Sequence, residues 1–379
     1  MKLGILRLYI GDTGEVGYYN GQEIGLAKAL YSNYGISTDV FLLKTKQKCY
    51  EEEIINITDN VRVVYLPASR IGVHGIIDPN LLKKYEINIL QLNSDNQLIT
   101  GKVIRWCFNN QLPVYTLSGV YKSKSKNIIK KIFFEISIRM NRNYQNKIIN
   151  VTKNLKIYDE MHRKNVRNVS FIPVGLDIKN LKEMYLSVEE LKIKYGLPND
   201  KKILLFVGRL EEGKNPFMSL YLIRQLDDWI LLIIGQGKLK QKMGIFIKEH
   251  NLENKVIFVD KIPNSKIGEI YSISDVLVNF CKDEIFGMTI LEAMYYKCLV
   301  IAHDAPGPNF IIKNNENGVL VKSNELDEWV KKVKYAIANR SMLSANAFER
   351  VVNYLNWDTL SKDYYNIYTS ILNIKEEEQ

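Results

Sequence analysis

Residues 202–216 read Lys-Ile-Leu-Leu-Phe-Val-Gly-Arg-Leu-Glu-Glu-Gly-Lys-Asn-Pro, an apolar run followed by a charged loop. An unbroken apolar run is typical of a strand buried on both faces of a parallel sheet. Pro216 suits the first turn of a helix, so a helix is expected to begin there. A buried strand, a loop and a helix belong to a βαβ unit, which predicts an α/β domain with a parallel sheet.

The same alternation of strands and helices extends in both directions. Toward the C-terminus, strands are predicted at 229–234, 255–259, 275–280 and 299–303. Toward the N-terminus, another set is predicted at 3–10, 38–43, 62–66, 87–92, 113–117 and 148–152. Two sets in 379 residues predict two doubly wound Rossmann-like domains, since one domain takes roughly 100–200 residues. Ligands of such sheets bind beyond the strands' carboxyl ends, so we expect the active site in a cleft that the two domains face.

The composition is that of a soluble protein. Hydrophobic residues make up 46% of the chain and charged residues 25%, as in ordinary globular proteins. No apolar run reaches the roughly 20 residues of a membrane span, and the first residues indicate a strand rather than a signal peptide. The protein is therefore expected in the cytoplasm.

A helix N-terminus with two carboxylates follows strand 275–280, in Glu284-Ile-Phe-Gly-Met-Thr-Ile-Leu-Glu292. Gly287 ends the loop, and the helix that follows would present unpaired amides where a diphosphate can bind. These amides are those of Met288, Thr289 and Ile290. Glu284 would reach the sugar of a bound donor and Glu292 its ribose, because a carboxylate accepts from two hydroxyls. The alternative is an amphipathic helix whose glutamates are only solvated.

Three glycine-containing loops are further candidates. In 208–216, Arg209 and Lys214 could both meet one diphosphate, although a solvated turn with paired charges has the same pattern. Gly235-Gln236-Gly237 follows strand 229–234 as a tight turn, a weak signal by itself. The segment 11–17, with its three glycines, offers flexible backbone to a donor phosphate or an acceptor, or is a structural turn.

Several kinds of active site are excluded by absent motifs. The chain has no G-x-x-x-x-G-K-[ST] phosphate loop, no G-x-S-x-G nucleophile elbow, no H-E-x-x-H zinc helix and no Asp-x-Asp pair. Scattered cysteines favour buried thiols over a zinc site or disulfides: Cys49, Cys107, Cys281 and Cys298. No metal or cofactor is expected, so Arg209, Lys214 and the helix N-terminus would have to neutralise a leaving diphosphate.

Positive charge is concentrated in residues 101–150, which hold ten Lys or Arg against Glu135 alone, within a formal net charge of +10. Residues 122–147 place apolar side chains at four-residue intervals, at Ile128, Ile132, Ile136 and Met140. A basic amphipathic helix predicts docking on an anionic membrane surface. The cations expected to face it are Lys122, Lys126, Lys130, Lys131 and Arg139. The alternative is a core-facing apolar stripe with a solvated cationic face.

The chain resembles the family-4 glycosyltransferases with the GT-B fold over nearly its whole length. The resemblance is carried by Glu284 and Glu292 in the family's E-x7-E element, by Gly208-Arg209-Leu210 with Lys214, by Ile172–Asp177, by Asn317–Val321 and by Trp357 before a last helix. It implies an acceptor-binding domain over 1–175, joined by a C-terminal helix at about 358–379. A donor-binding domain would cover 176–357.

The resemblance also implies the site. Glu284, Arg209 and Lys214 would act in catalysis. The donor would be bound by Gly17, Gly208, Gly235, Lys261, Ile262, Phe286, Gly287, Met288, Thr289 and Glu292. Ser118 stands where the family commonly has a histidine that contacts the donor sugar. His74 could replace it or be a structural histidine, so both residues are candidates for sugar or acceptor contact.

The implied reaction is transfer of a sugar from a nucleotide diphosphate sugar, with UDP favoured, to a glycan or lipid-linked acceptor. Retention of configuration by a front-face displacement needs no protein nucleophile, so catalysis would rest on positioning and electrostatics. The alternative is a catalytically silent GT-B homologue that acts as an assembly subunit. A nucleic-acid partner is disfavoured, because the basic block lacks the interleaved aromatics of a single-strand platform.

Overall fold

The computed structural model describes residues 1–10, 20–45, 51–93, 96–121, 123, 127–181, 185–260 and 262–377. The chain forms two compact units. The first takes in Met1–Asp177 and Trp357–Gln379, and the second takes in Ile178–Asn356. The boundaries expected from the family resemblance, at 175 and 358, lie close to these.

The first unit is built on one twisted sheet. Its strands are β1 (Lys2–Arg7), β2 (Ser37–Thr45), β3 (Glu53–Thr58), β4 (Val61–Ile71), β5 (His74–Ile76), β6 (Ile89–Asn93), β7 (Val114–Ser118), β8 (Asn150–Thr152) and β9 (Val169–Phe171). Their order is β3-β4-β2-β1-β6-β7-β8-β9, and β5 pairs with β4. All neighbours are parallel except β3 and β5, which run antiparallel to β4. This is a doubly wound sheet with an antiparallel edge.

Helices connect and cover these strands. The first unit contains α1 (Asn20–Tyr34), α2 (Thr100–Asn109), α3 (Ile128–Gln145) and α4 (Leu155–Arg163). Asn127 caps α3 because its side chain accepts from the amides of Ile129 and Lys130. The last helix, α13 (Trp357–Glu377), returns to this unit, where Tyr365 stacks on Tyr34 of α1 with ring centroids 4.1 Å apart.

The second unit repeats the plan with a wholly parallel sheet. The strands are β10 (Lys202–Val207), β11 (Trp229–Ile234), β12 (Val256–Val259), β13 (Val276–Asn279), β14 (Leu299–His303) and β15 (Val319–Val321). Their order is β12-β11-β10-β13-β14-β15. The helices are α5 (Val188–Lys194), α6 (Phe217–Ile223), α7 (Lys240–Glu249), α8 (Asn264–Ile273), α9 (Met288–Tyr295), α10 (Pro306–Ile311), α11 (Leu326–Ala338) and α12 (Arg340–Tyr354).

The sheet of the second unit is buried on both faces and so holds the loops at its edge in place. Leu204 and Phe206 of β10 pack into a core with Trp329 of α11, while Ile203 and Leu205, which point the other way, are also fully buried. Burying each such side chain contributes about 1.5–3 kcal/mol. The apolar run at the start of the segment 202–216 is therefore a central strand, buried on both faces as its sequence predicts.

Most sequence predictions of the fold are confirmed, with shifted ends. The first strand ends at Arg7 and not at residue 10. Pro216 precedes α6 as its N-cap and does not open the helix. The short strands β3, β5, β9 and β15 were not predicted. No helix among the described residues is long and apolar enough to cross a membrane.

Candidate active site

The candidate site of the second unit lies at one edge of its sheet, where the carboxyl ends of parallel strands meet. β10 leads into Gly208 and Arg209, β11 leads into Gly235, and β13 leads into the loop before α9. Ligands of doubly wound sheets bind at this edge. The charged motifs of the sequence are thus brought to one place by strand direction.

The loops after β10 and β11 approach each other at backbone distance. Leu210 N–H donates to Gln236 O at 2.9 Å. A Cβ on Gly235 would lie 1.9 Å from Gly208 O, and one on Gly237 would lie 2.4 Å from Leu210 O. Both positions exclude a side chain, so the Gly-x-Gly turn is a packing requirement of this edge. Contact of Gly208 or Gly235 with a donor stays a prediction.

Lys214 and Glu284 form the central ion pair of the site. Lys214 Nζ donates to Glu284 Oε2 at 2.5 Å, and Asn279 Nδ2 donates to the same oxygen at 3.4 Å. Asn279 ends β13 and so holds the carboxylate over the sheet edge. The two side chains are 27% and 15% exposed, which leaves them sheltered but open to a polar ligand. Two motifs 70 residues apart in the chain meet here.

Arg209 forms a separate ion pair with Glu211, at 2.9 Å. Both side chains are about half exposed. Exposed pairs of this kind contribute about 0–1 kcal/mol. The paired charges of the alternative interpretation, a solvated turn, are therefore present. Because the ion pair contributes so little free energy, an anion could displace Glu211 from Arg209.

Helix α9 offers two amides to an anion. It begins after Gly287, whose φ of 104° lies in the left-handed region that favours glycine. Within the described residues, the amides of Met288 and Thr289 have no acceptor. The expectation of a third was wrong, because Ile290 N–H donates to Gly287 O at 2.9 Å in a tightened first turn. The two open amides and the helix dipole still favour negative charge.

Glu292, in the middle of α9, is buried and oriented. It is 7% exposed, which contradicts the alternative of a solvated glutamate. Tyr271 Oη of α8 donates to Glu292 Oε2 at 2.7 Å, and the Tyr271 side chain is fully buried. Tyr271 is a site residue that no sequence motif predicts. The hydrogen bond from this buried hydroxyl holds the carboxylate in one orientation. A fixed orientation is needed if the carboxylate is to accept hydrogen bonds from two ribose hydroxyls.

Helix α10 packs against the loop that carries Glu284 and holds its backbone in place. Gly307 N–H donates to Glu284 O at 2.9 Å. A Cβ on Gly307 would lie 2.3 Å from Phe286 O, so only glycine fits. Phe286 is itself buried and lies near the ring of Phe310, with centroids 6.4 Å apart. Gly307 is a second site residue that no sequence motif predicts.

The remaining predicted residues are not brought to this edge by any described contact. Gly17 and Lys261 lie outside the described residues, and Ile262 is partly buried. In the first unit, Ser118 is buried at the end of β7. His74 is buried as well, and burial lowers its pKa, against the opposing effect of the Gln97 side chain.

The described cysteines are buried free thiols, at Cys107, Cys281 and Cys298. Burial raises the pKa of Cys107 and of Cys298 to about 12. Thiols with so high a pKa are poor nucleophiles. Cys49 lies outside the described residues. In the part of the chain that the structure describes, no group of three or more His, Cys, Asp or Glu side chains could hold a metal ion.

Known proteins share the segment that carries this site. Residues 187–350 match the sequence model of the family described as "Glycosyl transferases group 1". UDP-Gal:alpha-D-GlcNAc-diphosphoundecaprenol alpha-1,3-galactosyltransferase of Escherichia coli is 23% identical over 321 residues, which cover 79% of this chain and 81% of that protein. The chain is a glycosyltransferase.

A second relative of this glycosyltransferase is the uncharacterized glycosyltransferase MJ1607 of Methanocaldococcus jannaschii, 29% identical over 199 residues. That match spans 49% of this chain and 50% of the relative. Among solved structures, sucrose-phosphate synthase from Thermosynechococcus elongatus has a TM-score of 0.80 at 19% identity, covering 99% of this chain and 100% of that one. At this identity the likeness shows the fold alone. The glycosyltransferase has the GT-B fold of two Rossmann-like domains.

Proposed function

We propose that this glycosyltransferase is a family-4 retaining enzyme that transfers a hexose from a UDP-sugar to a glycan or lipid-linked saccharide, without a metal ion. The observation that carries the proposal is the Lys214–Glu284 pair, held at 2.5 Å beside the two open amides of α9. The ammonium group of Lys214 and the amides of Met288 and Thr289 are hydrogen-bond donors that a diphosphate could use. Glu284, which would bind the sugar, then lies next to Lys214, which would bind the diphosphate.

Each group has a task that follows from its chemistry. Lys214, Arg209 and the amides of Met288 and Thr289 would stabilise the charge on the departing diphosphate. Glu284 would accept hydrogen bonds from the sugar, and Glu292 from the ribose. In a front-face displacement the acceptor oxygen bonds to the anomeric carbon as the bond from that carbon to the diphosphate breaks, and the leaving phosphate oxygen takes the proton of the acceptor hydroxyl. Catalysis then comes from positioning and preorganised charge.

The donor base and the acceptor class are proposed from the relatives. The E. coli relative is named for UDP-Gal and for a diphosphoundecaprenol acceptor. We extend UDP and a lipid-linked saccharide to this chain. Such an acceptor lies in a membrane, so we also propose that the enzyme works at the inner face of the cell membrane, on an anionic surface.

Nucleotide binding tests the proposal directly. Thermal unfolding would be followed in EDTA with UDP, GDP, ADP or CMP. We expect UDP to raise the melting temperature of the wild type and to have little effect on Glu292→Ala or Arg209→Ala. Glu253→Ala, an exposed glutamate of the same unit, is the matched control and should respond like the wild type. No shift with any nucleotide would favour the catalytically silent homologue.

The Tyr271 hydroxyl gives a finer prediction. Tyr271→Phe should weaken UDP binding roughly tenfold, because a hydrogen bond to a charged group contributes about 1.5 kcal/mol. Isothermal titration calorimetry would measure the Kd. Tyr221→Phe alters an exposed ring of α6 and should leave the Kd unchanged. Equal Kd values for wild type and Tyr271→Phe would show that Glu292 needs no positioning by this hydroxyl.

A further inference from the structure

Helix α3 turns its apolar face outward. Six apolar side chains along it are between 41% and 73% exposed: Ile128, Ile129, Ile132, Phe133, Ile136 and Met140. Their three- and four-residue spacing places them on one side of the helix. The alternative of a core-facing apolar stripe is therefore wrong. Contiguous exposed apolar surface marks an interaction site.

The opposite side of α3 is buried and largely polar. Ser137 Oγ donates to Asn96 O at 2.8 Å, and Asn141 Nδ2 donates to Gln97 O at 2.8 Å. Asn141 Oδ1 also accepts from Gly101 N–H at 2.9 Å. Breaking these buried hydrogen bonds would leave polar groups unpaired at high cost. The helix is thus locked with its polar side inward and cannot bury its apolar side by rotating.

A second exposed apolar element lies beside α3. The hairpin of β4 and β5 carries Ile71 and Val73 at its tip, 57% and 45% exposed. Between them, Gly72 has a φ of 61°, which the tight turn requires. His74 packs its ring against Phe133 of α3, with centroids 5.6 Å apart. The hairpin tip and the outer face of α3 therefore form one surface, here called the apolar platform.

Basic side chains lie on the same two elements as the apolar platform, the β4–β5 hairpin and α3. Those that are exposed are Arg70, Lys130, Lys131 and Arg139. Glu135, the acid of α3, is paired with Lys164. Lys122 and Lys126, which were also expected to face a membrane, lie outside the described residues. Exposed apolar side chains with exposed Lys and Arg on the same elements match an interface of acyl chains and anionic headgroups.

We propose that the apolar platform inserts into an anionic lipid bilayer at two points, with α3 lying in the interface and the β4–β5 hairpin tip as a second anchor. Two anchors fix the orientation of the first unit on the membrane, which a single interfacial helix would leave free to roll. This proposal depends on the proposed function in one respect: a lipid-linked acceptor would require the enzyme to bind a membrane.

Vesicle binding of the full chain tests the two anchors. The protein would be sedimented with phosphatidylcholine vesicles, with or without phosphatidylglycerol, at physiological salt. We expect binding only with phosphatidylglycerol. The partition coefficient should fall about tenfold in Ile132→Ser/Ile136→Ser and about tenfold in Ile71→Ser/Val73→Ser. Ile193→Ser/Ile245→Ser changes exposed isoleucines of the second unit and should bind like the wild type.

Three results would overturn the proposal. The hairpin variant could bind like the wild type, which would remove the second anchor. Vesicles without phosphatidylglycerol could bind equally well, which would remove the role of charge. The wild type could ignore both vesicles and form a dimer that Ile136→Ser dissociates, which would make the platform a contact between copies. The UDP-induced thermal shift, measured on each variant, reports separately on folding and on the donor site.

Discussion

Replacing Lys214 by Met is expected to lower the turnover number for sugar transfer by about 10²- to 10³-fold. Lys214 Nζ lies 2.5 Å from Glu284 Oε2, where it would also face the departing diphosphate. Removing one preorganised donor from developing negative charge commonly costs about 2.7–4 kcal/mol of transition-state stabilisation. The assay is the release of UDP from a UDP-hexose in the presence of a lipid-linked saccharide acceptor.

Comparison variants separate this effect from loss of fold. Lys214→Arg keeps a cation of different shape and should retain more activity than Lys214→Met. Lys248→Met removes an exposed lysine of α7 and should leave turnover unchanged. Because Lys214 and Glu284 are partners, Lys214→Met/Glu284→Gln should lose less than the product of the two single losses. A turnover number within about threefold of wild type in Lys214→Met would contradict a role for this cation in transfer.

The strands buried on both faces could be predicted because an unbroken apolar run leaves few alternatives. β11 and β14 have the bounds predicted from the sequence, and β10 is the apolar run that begins the segment 202–216. β3 could not be predicted in this way, since it is an exposed edge strand that pairs antiparallel with β4. Such a strand has no buried face, so its position comes from the pairing with its neighbour and leaves little pattern in the sequence.

The charged residues of the site could be predicted for a similar reason. Parallel strands bring their carboxyl ends to one edge of the sheet. Arg209 follows β10 and Glu284 follows β13, so both are expected at that edge. Tyr271 and Gly307 could not be found, because neither has a local motif. The Tyr271 hydroxyl reaches Glu292 from another helix, and Gly307 is required only because the Phe286 backbone passes against it.

Helix α3 shows what periodicity leaves undecided. The four-residue spacing from Ile128 to Met140 predicts which side chains share a face, but not which face turns inward. Here the choice depends on acceptors supplied elsewhere in the first unit. The carbonyls of Asn96 and Gln97 take hydrogen bonds from Ser137 and Asn141, so the polar face is the one that packs.

Gly307→Ala is expected to reduce both stability and donor affinity. A Cβ at this position would lie 2.3 Å from Phe286 O and 2.5 Å from Phe286 Cα. Backbone cannot move aside as a flexible side chain can, and overpacking of this kind costs about 1–3 kcal/mol. The melting temperature should fall by about 3–8 °C. Because the displaced Phe286 backbone leads directly into the N-terminus of α9, whose amides would bind the diphosphate, the calorimetric Kd for UDP should rise at least about tenfold.

Gly213→Ala is the matched control, since Gly213 lies in the loop of Lys214 and a Cβ there would meet no atom within 4 Å. Its melting temperature should stay level or rise slightly, because alanine restricts the unfolded chain by about 0.4–1 kcal/mol. A difference between the two variants then isolates the collision with Phe286 from the general effect of losing a glycine. Wild-type stability and Kd in Gly307→Ala would mean that α10 can withdraw from the loop. The position of Glu284 would then depend on Lys214 and Asn279, the side chains that hold its carboxylate.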